Sequence, residues 1–403
     1  MMARIIIFVI FIIQSSLLLA AKPEVLKVYF DADRTGYIES ALSIEQGVKV
    51  AFAEVNNQIA GIPVEFISTD HRGNVLRSRK NMERFYKDPN GLVYVAGLHS
   101  PPLIKYREYI NESQILTLVP WAAGSPISRY PSEDKNYIFR LSVDDSKVGR
   151  ILVNHALKNQ CQQPQLMLEN TAWGKSNEKA MLAALPTRLK NKVKVTWFNW
   201  GISDIDARIL LRKVAEQGGD CLLLVANGRE GRLIVESVSD VGINMPVYSH
   251  WGITGGNFPK LVTYEIREKA NLQFIQSCFN FYSSKNDSFH FSVFRQAQVL
   301  FPDYFEDTNI AAPAGFIHSY DLAKIFIQAA NSVELTTDTK VNRKRIKEAM
   351  ESLEHPIHGL IKEYNSPFSP FNDNNLDAHE ALGSEDLCMA IYDQKNAVKL
   401  LPK

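Results

Sequence analysis

Short apolar runs alternate with amphipathic stretches along most of the chain, and this alternation is the strongest constraint on its fold. Residues 25–30 (VLKVYF) have the composition of a strand. After them, Ile44, Val48, Phe52 and Val55 recur at helical spacing and form one apolar face. Parallel strands need crossover connections long enough to hold a helix, so the repeated strand–helix order predicts an α/β fold with parallel sheets.

The alternation occurs in two sets of similar size. The first set has strand-like runs at 25–30, 64–69, 92–97, 115–120 and 136–142, and the second has them at 166–170, 193–201, 221–228 and 245–249. The second set is preceded by a helical pattern that begins at about Asp144. Two such sets predict two α/β lobes.

The order changes beyond Lys269. A β-rich run, two helical patterns and a closing hairpin follow at 272–282, 316–333, 342–353 and 385–401. This tail has too little periodic material for a third domain, so it must complete the two lobes, and the chain must cross between them more than once. We expect a signal peptide at 1–21, a first lobe at 22–141 plus about 283–353, and a second lobe with the hinge strands at 142–282 plus about 354–403.

The N-terminus has the three parts of a secretory signal peptide: Arg4, an apolar run, and small residues at Ala20 and Ala21. A retained membrane anchor is the alternative, but the strictly apolar part, residues 5–13, is short for a bilayer span. We therefore predict cleavage near Ala20 or Ala21 and a soluble, periplasmic mature protein.

Export permits disulfides among the four cysteines, Cys161, Cys221, Cys278 and Cys388. Four cysteines allow three pairings, and their spacing does not choose among these pairings or between disulfides and buried free thiols.

The charge balance and motifs argue against several classes of function. A net charge of +1 offers no basic field for nucleic acid. The sequence GITGG after Trp251 lacks the spacing of a nucleotide fingerprint, and no G-x-S-x-G nucleophile elbow is present. We therefore expect no enzymatic activity, no cofactor and no metal site.

In open α/β sheets, ligands lie beyond the carboxyl ends of the strands. The segments that follow the predicted strands are rich in Gly, Ser, Asn and Trp: DADRTGYIES, TDHRGN, GLHSPP, PWAAGSP, ENTAWGKS, ANGRE and SHWGITGG. Together they predict one ligand cleft between the lobes.

The order and spacing of several of these segments, with GVKVAFAEVN and NYIFRLSVDDSKVGRIL, resemble the type I periplasmic solute-binding proteins. The nearest likeness is to the branched-chain amino acid (Leu/Ile/Val) binding family of ABC transporters, and it covers nearly the whole mature chain. The resemblance implies two Rossmann-like lobes with parallel sheets, joined by a multi-strand hinge, and a ligand held between them.

The resemblance also implies roles for particular residues of the first lobe. In that family the loop after the third strand offers a serine hydroxyl to the ligand carboxylate, and the matching residue is Ser100, beside His99. The loop after the fourth strand offers backbone groups and a hydroxyl, which match Ala122, Gly124 and Ser125. The family's hydroxyl position falls on Gly124, which is a departure.

In the second lobe, Trp173 matches an aromatic residue that covers the ligand. Asn227 stands where a tyrosine often lines the pocket. His250 and Trp251 stand where amino-acid binders have an acidic residue for the ligand ammonium. Either Glu39 replaces that acid from the first lobe, or the ligand has no ammonium group, because burying an unpaired ammonium is costly.

Four aromatic side chains could line the cleft: Tyr37, Trp121, Trp173 and Trp251. Aromatic walls favour flat or cationic ligands through stacking and cation–π contact.

Taken together, these patterns predict the monomeric periplasmic substrate-binding component of an ABC-type importer, which delivers its solute to a membrane permease. The expected ligand is an amino acid or a related small carboxylate or amide, aromatic ones included. A ligand-sensing subunit that acts on a membrane sensor kinase and an exported hydrolase are the alternatives.

Overall fold

The first of two main sheets is built on the N-terminal half of the chain. The computed structural model describes residues 22–129, 135–305 and 310–403, so the predicted signal peptide lies outside the described residues. Six strands form the first sheet in the order β2-β3-β1-β4-β5-β6. Their bounds are β1 Leu26–Ala32, β2 Gln58–Ile59, β3 Ile62–Asp70, β4 Gly91–Ala96, β5 Thr117–Val119 and β6 Ile138–Arg140. All neighbours in this sheet run parallel except the β2–β3 pair.

Six helices accompany this sheet. They are α1 Ile38–Ala53, α2 Val75–Lys87, α3 Ser100–Glu112, α11 Ser288–Leu300, α12 Pro313–Asn331 and α13 Thr339–Met350. Local chemistry sets their ends. The side chain of Asn74, for example, accepts the backbone N–H groups of Leu76 and Arg77 (2.9 and 3.0 Å) and so caps α2.

The second sheet has seven strands in the order β15-β14-β11-β10-β9-β7-β8. These are β7 Pro164–Glu169, β8 Lys194–Phe198, β9 Cys221–Val225, β10 Val247–Ser249, β11 Gln273–Ser277, β14 Leu387–Tyr392 and β15 Val398–Leu400. The first five are parallel, while β14 and β15 form an antiparallel hairpin at one edge. The connecting helices are α4 Asp145–Lys158, α5 Ala172–Ala184, α6 Thr187–Lys190, α7 Asp204–Glu216, α8 Gly228–Val241, α9 Phe258–Leu261 and α10 Tyr264–Lys269.

The predicted fold class, two α/β lobes with parallel sheets, is confirmed, and so is the closing hairpin. Two local features differ from the sequence pattern. The β-rich run at 272–282 is a strand only over Gln273–Ser277, and helix α11 was not predicted. The sequence does not predict helix α11 because its apolar residues do not form one buried face. Within this helix only Val293 and Ala297 are buried, while Phe291 and Val299 are exposed.

Three segments cross between the sheets, at 141–144, 278–287 and 382–386. Between the last two lies a short hairpin, β12 Ile357–His358 with β13 Glu363–Tyr364. The Tyr364 hydroxyl and the backbone N–H of Leu360 both donate to Asp321 on α12, and Glu380 forms a β-bridge with Arg140, the last residue of β6. We therefore propose that the first lobe extends to about residue 381.

A buried ion cluster lies where the first crossing meets the residues just before the third. The guanidinium of Arg140 is fully buried and pairs with Asp144 and with Glu380, whose carboxylate lies 2.7 Å away. Arg129 also pairs with Asp144, at 2.6 Å. Burial alone would raise the pKa of Asp144, but the charges of Arg140 and Arg129 lower it well below its usual range. Ionised groups therefore hold the first crossing against the residues that precede the third.

His318 joins the first crossing to the end of β11, where the second crossing begins. Its ring nitrogens lie 3.0 Å from the Leu141 carbonyl oxygen and 2.9 Å from the Ser277 hydroxyl. Burial lowers the pKa of His318 to about 3, so this link is made by a neutral ring.

Both pairs of cysteines form disulfides, Cys161–Cys221 and Cys278–Cys388. The Cys278–Cys388 bond links the start of the second crossing to strand β14. The Cys161–Cys221 bond links the loop after α4 to β9. The pairing was open from the sequence, because contact in space rather than spacing decides it.

Among the described residues, no helix combines the length and the apolar character that a membrane span requires.

The ion cluster predicts a large effect of Arg140→Met on stability. The substitution leaves Asp144 and Glu380 buried with less compensating charge, which costs about 3–5 kcal/mol. Urea unfolding followed by circular dichroism measures it. Arg72→Met is the control, since the Arg72–Asp70 pair (3.5 Å) has Arg72 59% exposed, and its loss costs less than about 1 kcal/mol. Equal midpoints for the two variants would contradict a supporting role for Arg140.

Candidate functional site

The candidate site lies between the lobes, where the carboxyl ends of the parallel strands of both sheets meet. Several hydrogen bonds cross here from one lobe to the other. The Tyr37 hydroxyl donates to Glu230 (2.5 Å), the Gly256 N–H to the Ser40 hydroxyl (3.1 Å), and the Ser125 N–H to the Ser176 hydroxyl (3.1 Å). The structure is therefore a closed arrangement of the two lobes.

The first-lobe wall contains Ser100 and the loop after β5. Ser100 is buried at the start of α3, and its hydroxyl oxygen accepts the Gly124 N–H at 3.1 Å. The carbonyl oxygens of Ala122 and Gly124 accept from Arg140, at 3.5 and 2.9 Å. The ion cluster of the crossings thus fixes the shape of the predicted ligand loop directly.

Two tryptophans meet at the centre of the closed site. Trp121 from the first lobe and Trp251 from the second are each 1% exposed, and their ring centroids lie 5.6 Å apart. Trp251 also lies 4.8 Å from the ring of His318. Trp251 therefore contacts both Trp121 of the opposite lobe and His318 of helix α12, which bonds to Leu141 in the first crossing.

The second-lobe wall contains Trp173, His250 and Asp145. The Trp173 indole N–H donates to Asp145 Oδ1 (3.2 Å), and His250 Nε2 lies 3.0 Å from the same oxygen. The rings of Trp173 and His250 meet edge to face, 5.0 Å between centroids. A Cβ on Gly252 would lie 2.6 Å from the Trp173 ring, so the glycine after Trp251 permits this close packing.

Two further carboxyl groups lie toward Tyr37. Glu169, the last residue of β7, accepts from the Asn227 side chain (3.0 Å) and the Thr171 hydroxyl (3.0 Å). Glu230, in the first turn of α8, accepts from Tyr37 and from the Gly201 N–H (3.1 Å). Burial and the nearby charge of Glu230 raise the pKa of Glu169 from its usual 4.5 to about 8. Glu169 is thus largely protonated at neutral pH.

The edges of the site hold the remaining predicted residues. Glu39 is partly exposed and accepts weakly from Asn257 (3.4 Å), beside a cavity of about 390 Å³ that Tyr37 also lines. Ser125 lines a larger cavity of about 870 Å³ at the other side of the lobe interface. His99 lies 4.9 Å from the ring of Trp200, which reaches across from the loop after β8.

The structure brings most of the sequence-predicted residues into this interface. Those buried within it are Tyr37, Ser100, Trp121, Ala122, Gly124, Trp173, Asn227, His250 and Trp251. Glu39 and Ser125 lie at its edges. Which of them contact a ligand stays a prediction.

Sequence reasoning missed Asp145, Glu169, Glu230, Trp200 and His318. Glu169 and Glu230 occur in the segments ENTAWGKS and ANGRE, which the sequence already placed at the cleft. Asp145 follows a crossing segment, where a helix cap is the ordinary expectation for an aspartate. Only burial distinguishes these carboxyl groups from the many solvated ones.

Two lobes that close over buried polar and aromatic side chains define a binding protein with an interdomain site. The sequence matches the family model described as periplasmic binding protein over residues 31–375, which is most of the chain. The chain belongs to this family, and the resemblance inferred from its motifs is confirmed. No curated protein matches the sequence.

Several solved structures have a fold similar to that of this chain. A periplasmic binding protein type 1 from Bordetella pertussis has a TM-score of 0.74 at 13% identity, covering 94% of this chain and 100% of that one. A leucine-binding protein from Thermotoga maritima has a TM-score of 0.70 at 14% identity, covering 94% and 98%. A solute-binding protein of an R. palustris ABC transporter in complex with benzoate has a TM-score of 0.71 at 13% identity, covering 94% and 95%.

The raised pKa of Glu169 predicts a pH dependence of stability. Between pH 4.5 and about 8 the folded protein keeps a proton that the unfolded chain releases, so stability falls as pH rises through this range. Glu169→Gln removes the titration. We expect the melting temperature of the wild type, relative to Glu169→Gln, to fall from pH 5 to pH 8.5 in fluorimetric melts. A constant difference across this range would contradict the assigned pKa.

Proposed function

We propose that this protein is the periplasmic substrate-binding component of an ABC-type importer and that it captures a small solute between its closing lobes. One observation carries the proposal: predicted ligand-binding residues, among them Tyr37, Trp121 and Trp251, take part in the contacts between the lobes. Opening the hinge would expose them to solvent, and closure would bury them together with a ligand.

The composition of the two walls supports a small solute with a polar group and an apolar or aromatic part. The Ser100 hydroxyl accepts from Gly124, which leaves its own proton for an oxygen atom of a ligand. Trp121, Trp173 and Trp251 supply apolar faces. Structures of similar fold carry leucine and benzoate in their names, which fits an amino acid or a related small carboxylate.

Export to the periplasm and a membrane permease as partner complete the proposal. Members of the family are substrate-binding proteins, and relatives of similar fold belong to ABC transporters. The closed protein, rather than the free solute, would be the form that the permease recognises. We propose that it works as a monomer, since each chain contains both walls of the site.

The first test is the thermal unfolding of residues 22–403 with a panel of amino acids, amides, aromatic acids and amines. A ligand at 100 times its dissociation constant adds about 2.7 kcal/mol of stability, which raises the melting temperature by several degrees. We expect one molecule bound per chain by calorimetry, no chemical change in the ligand, and a smaller radius of gyration by X-ray scattering. Conversion of the ligand to a product would contradict a binding function and favour the hydrolase alternative.

The interlobe hydrogen bond of Tyr37 provides a second test. Tyr37→Phe leaves one oxygen of the buried Glu230 without a donor in the closed form, so the affinity for the ligand found above should fall about tenfold. Tyr29→Phe is the matched control, because Tyr29 donates to Asp88 (2.6 Å) within the first lobe. Equal affinities of the two variants would show that closure does not use the Tyr37 contact.

A further inference from the structure

Two carboxyl groups are buried close together in the wall of the second lobe. Glu169 ends β7 and is 0% exposed, and Glu230 lies in the first turn of α8 and is 3% exposed. They are near enough for the charge of Glu230 to act on Glu169. Buried Glu380, by contrast, pairs with a guanidinium at 2.7 Å. Within the described parts of the chain neither Glu169 nor Glu230 has such a cationic partner, so two negative charges here would repel without compensation.

The hydrogen bonds of the pair show which carboxyl group can carry a proton. Glu230 accepts from the Tyr37 hydroxyl (2.5 Å) and from the backbone N–H of Gly201 (3.1 Å), which can only donate. One oxygen of Glu169 accepts from the Asn227 amide (3.0 Å). Its other oxygen lies 3.0 Å from the Thr171 hydroxyl, which can donate or accept. A proton on Glu169 therefore has an acceptor, and Glu230 is the ionised member of the pair.

No neighbouring charge replaces that proton. The charged and titratable groups on the surrounding elements are Asp33, His71 and His99 of the first lobe, and Asp145, Lys175, Arg229 and His250 of the second. Two of these acids face a histidine each, Asp33 at 3.4 Å and Asp145 at 3.0 Å. The side chains of Lys175 and Arg229 are exposed, and solvent screens their charges.

The cover over the pair comes from the opposite lobe. Tyr37 belongs to the first lobe, and its bond to Glu230 can exist only while the lobes are together. A cavity of about 390 Å³ at the lobe interface is lined by Tyr37, Gly228 and Arg229, so solvent space lies beside the pair. Withdrawal of Tyr37 would let water reach both carboxyl groups. Hydration favours the charged form of a carboxyl group, so Glu169 would release its proton in the open form.

We propose that closure of the lobes takes up one proton from the solvent, which the Glu169–Glu230 pair holds beneath Tyr37, so that the affinity for the solute falls as the pH rises. This proposal rests on the proposed function and adds a regulation of the same site. The pKa of Glu169 is raised to about 8 in the closed form, against its usual 4.5. Between these values only the closed form keeps the proton, so the affinity should fall about tenfold or more from pH 6 to pH 8.

Calorimetry on the wild-type protein, residues 22–403, measures the proton directly. The probe is whichever of L-leucine, L-phenylalanine and benzoate binds most tightly, since the charges of all three stay constant between pH 6 and pH 8. Titrations at pH 7 in phosphate and in Tris, which differ in their enthalpy of ionisation, give the number of protons exchanged. We expect uptake of about one proton per solute bound.

Two failures are distinguishable in this experiment. Binding without proton uptake, or with an affinity that is constant from pH 6 to pH 8, would overturn the proton coupling and leave solute capture intact. If none of the three probes binds, the proposed capture of an amino acid or small carboxylate fails, and the proton coupling, which rests on it, fails with it.

Glu169→Gln tests the residue. The amide has the shape of the protonated acid and can still donate to Thr171, so we expect binding without proton uptake and an affinity that is constant from pH 6 to pH 8. Asp321→Asn is the matched control. Asp321 is also fully buried, and burial raises its pKa to about 6, but its partners, such as Tyr364, lie within the first lobe. It should take up as many protons as the wild type, and equal uptake by Glu169→Gln would overturn the assignment.

Discussion

The guanidinium of Arg140 connects a segment that crosses between the two sheets to the loop after β5, where the sequence predicts ligand contacts. It is fully buried at the end of β6, pairs with Asp144 in the first crossing and with Glu380 just before the third, and donates to the Gly124 carbonyl in the loop after β5. A buried charge is tolerated only when its donors are fully used, so these groups have little freedom to rearrange independently. The crossing segments and the first-lobe wall are therefore one connected unit.

The contacts of Arg140 continue into the second lobe through Asp144 and the residue after it. Asp144 caps α4, and Asp145, the next residue, accepts from Trp173 and His250. Trp251, next to His250, contacts Trp121 in the first lobe and His318, which bonds to Leu141 in the first crossing and to Ser277 at the end of β11. Direct contacts therefore join the second-lobe wall to the first-lobe wall and to the first crossing.

Much of the architecture follows from local sequence patterns. Runs such as LMLEN and CLLLVANG are apolar because central parallel strands are buried on both faces, and the helices between them show one apolar face. The loops after the strands could be placed in the cleft because parallel strands end at a common edge. Trp121, Trp173, His250 and Trp251 were predicted there on this ground, and they lie there. Helix α11 was missed because its apolar residues are partly exposed.

The sequence by itself determined the two-lobed α/β fold, the loops that meet between the lobes, and their aromatic and polar composition. The tertiary structure alone decided the disulfide pairing, the buried ion cluster and the electrostatics of the site. Asp145, Glu169 and Glu230 look like ordinary capping or surface acids in the sequence. They differ from ordinary surface acids because they are desolvated and because the nearest cation is distant. Both conditions depend on residues far away in the chain. Such three-dimensional surroundings leave no periodic or local signal to read.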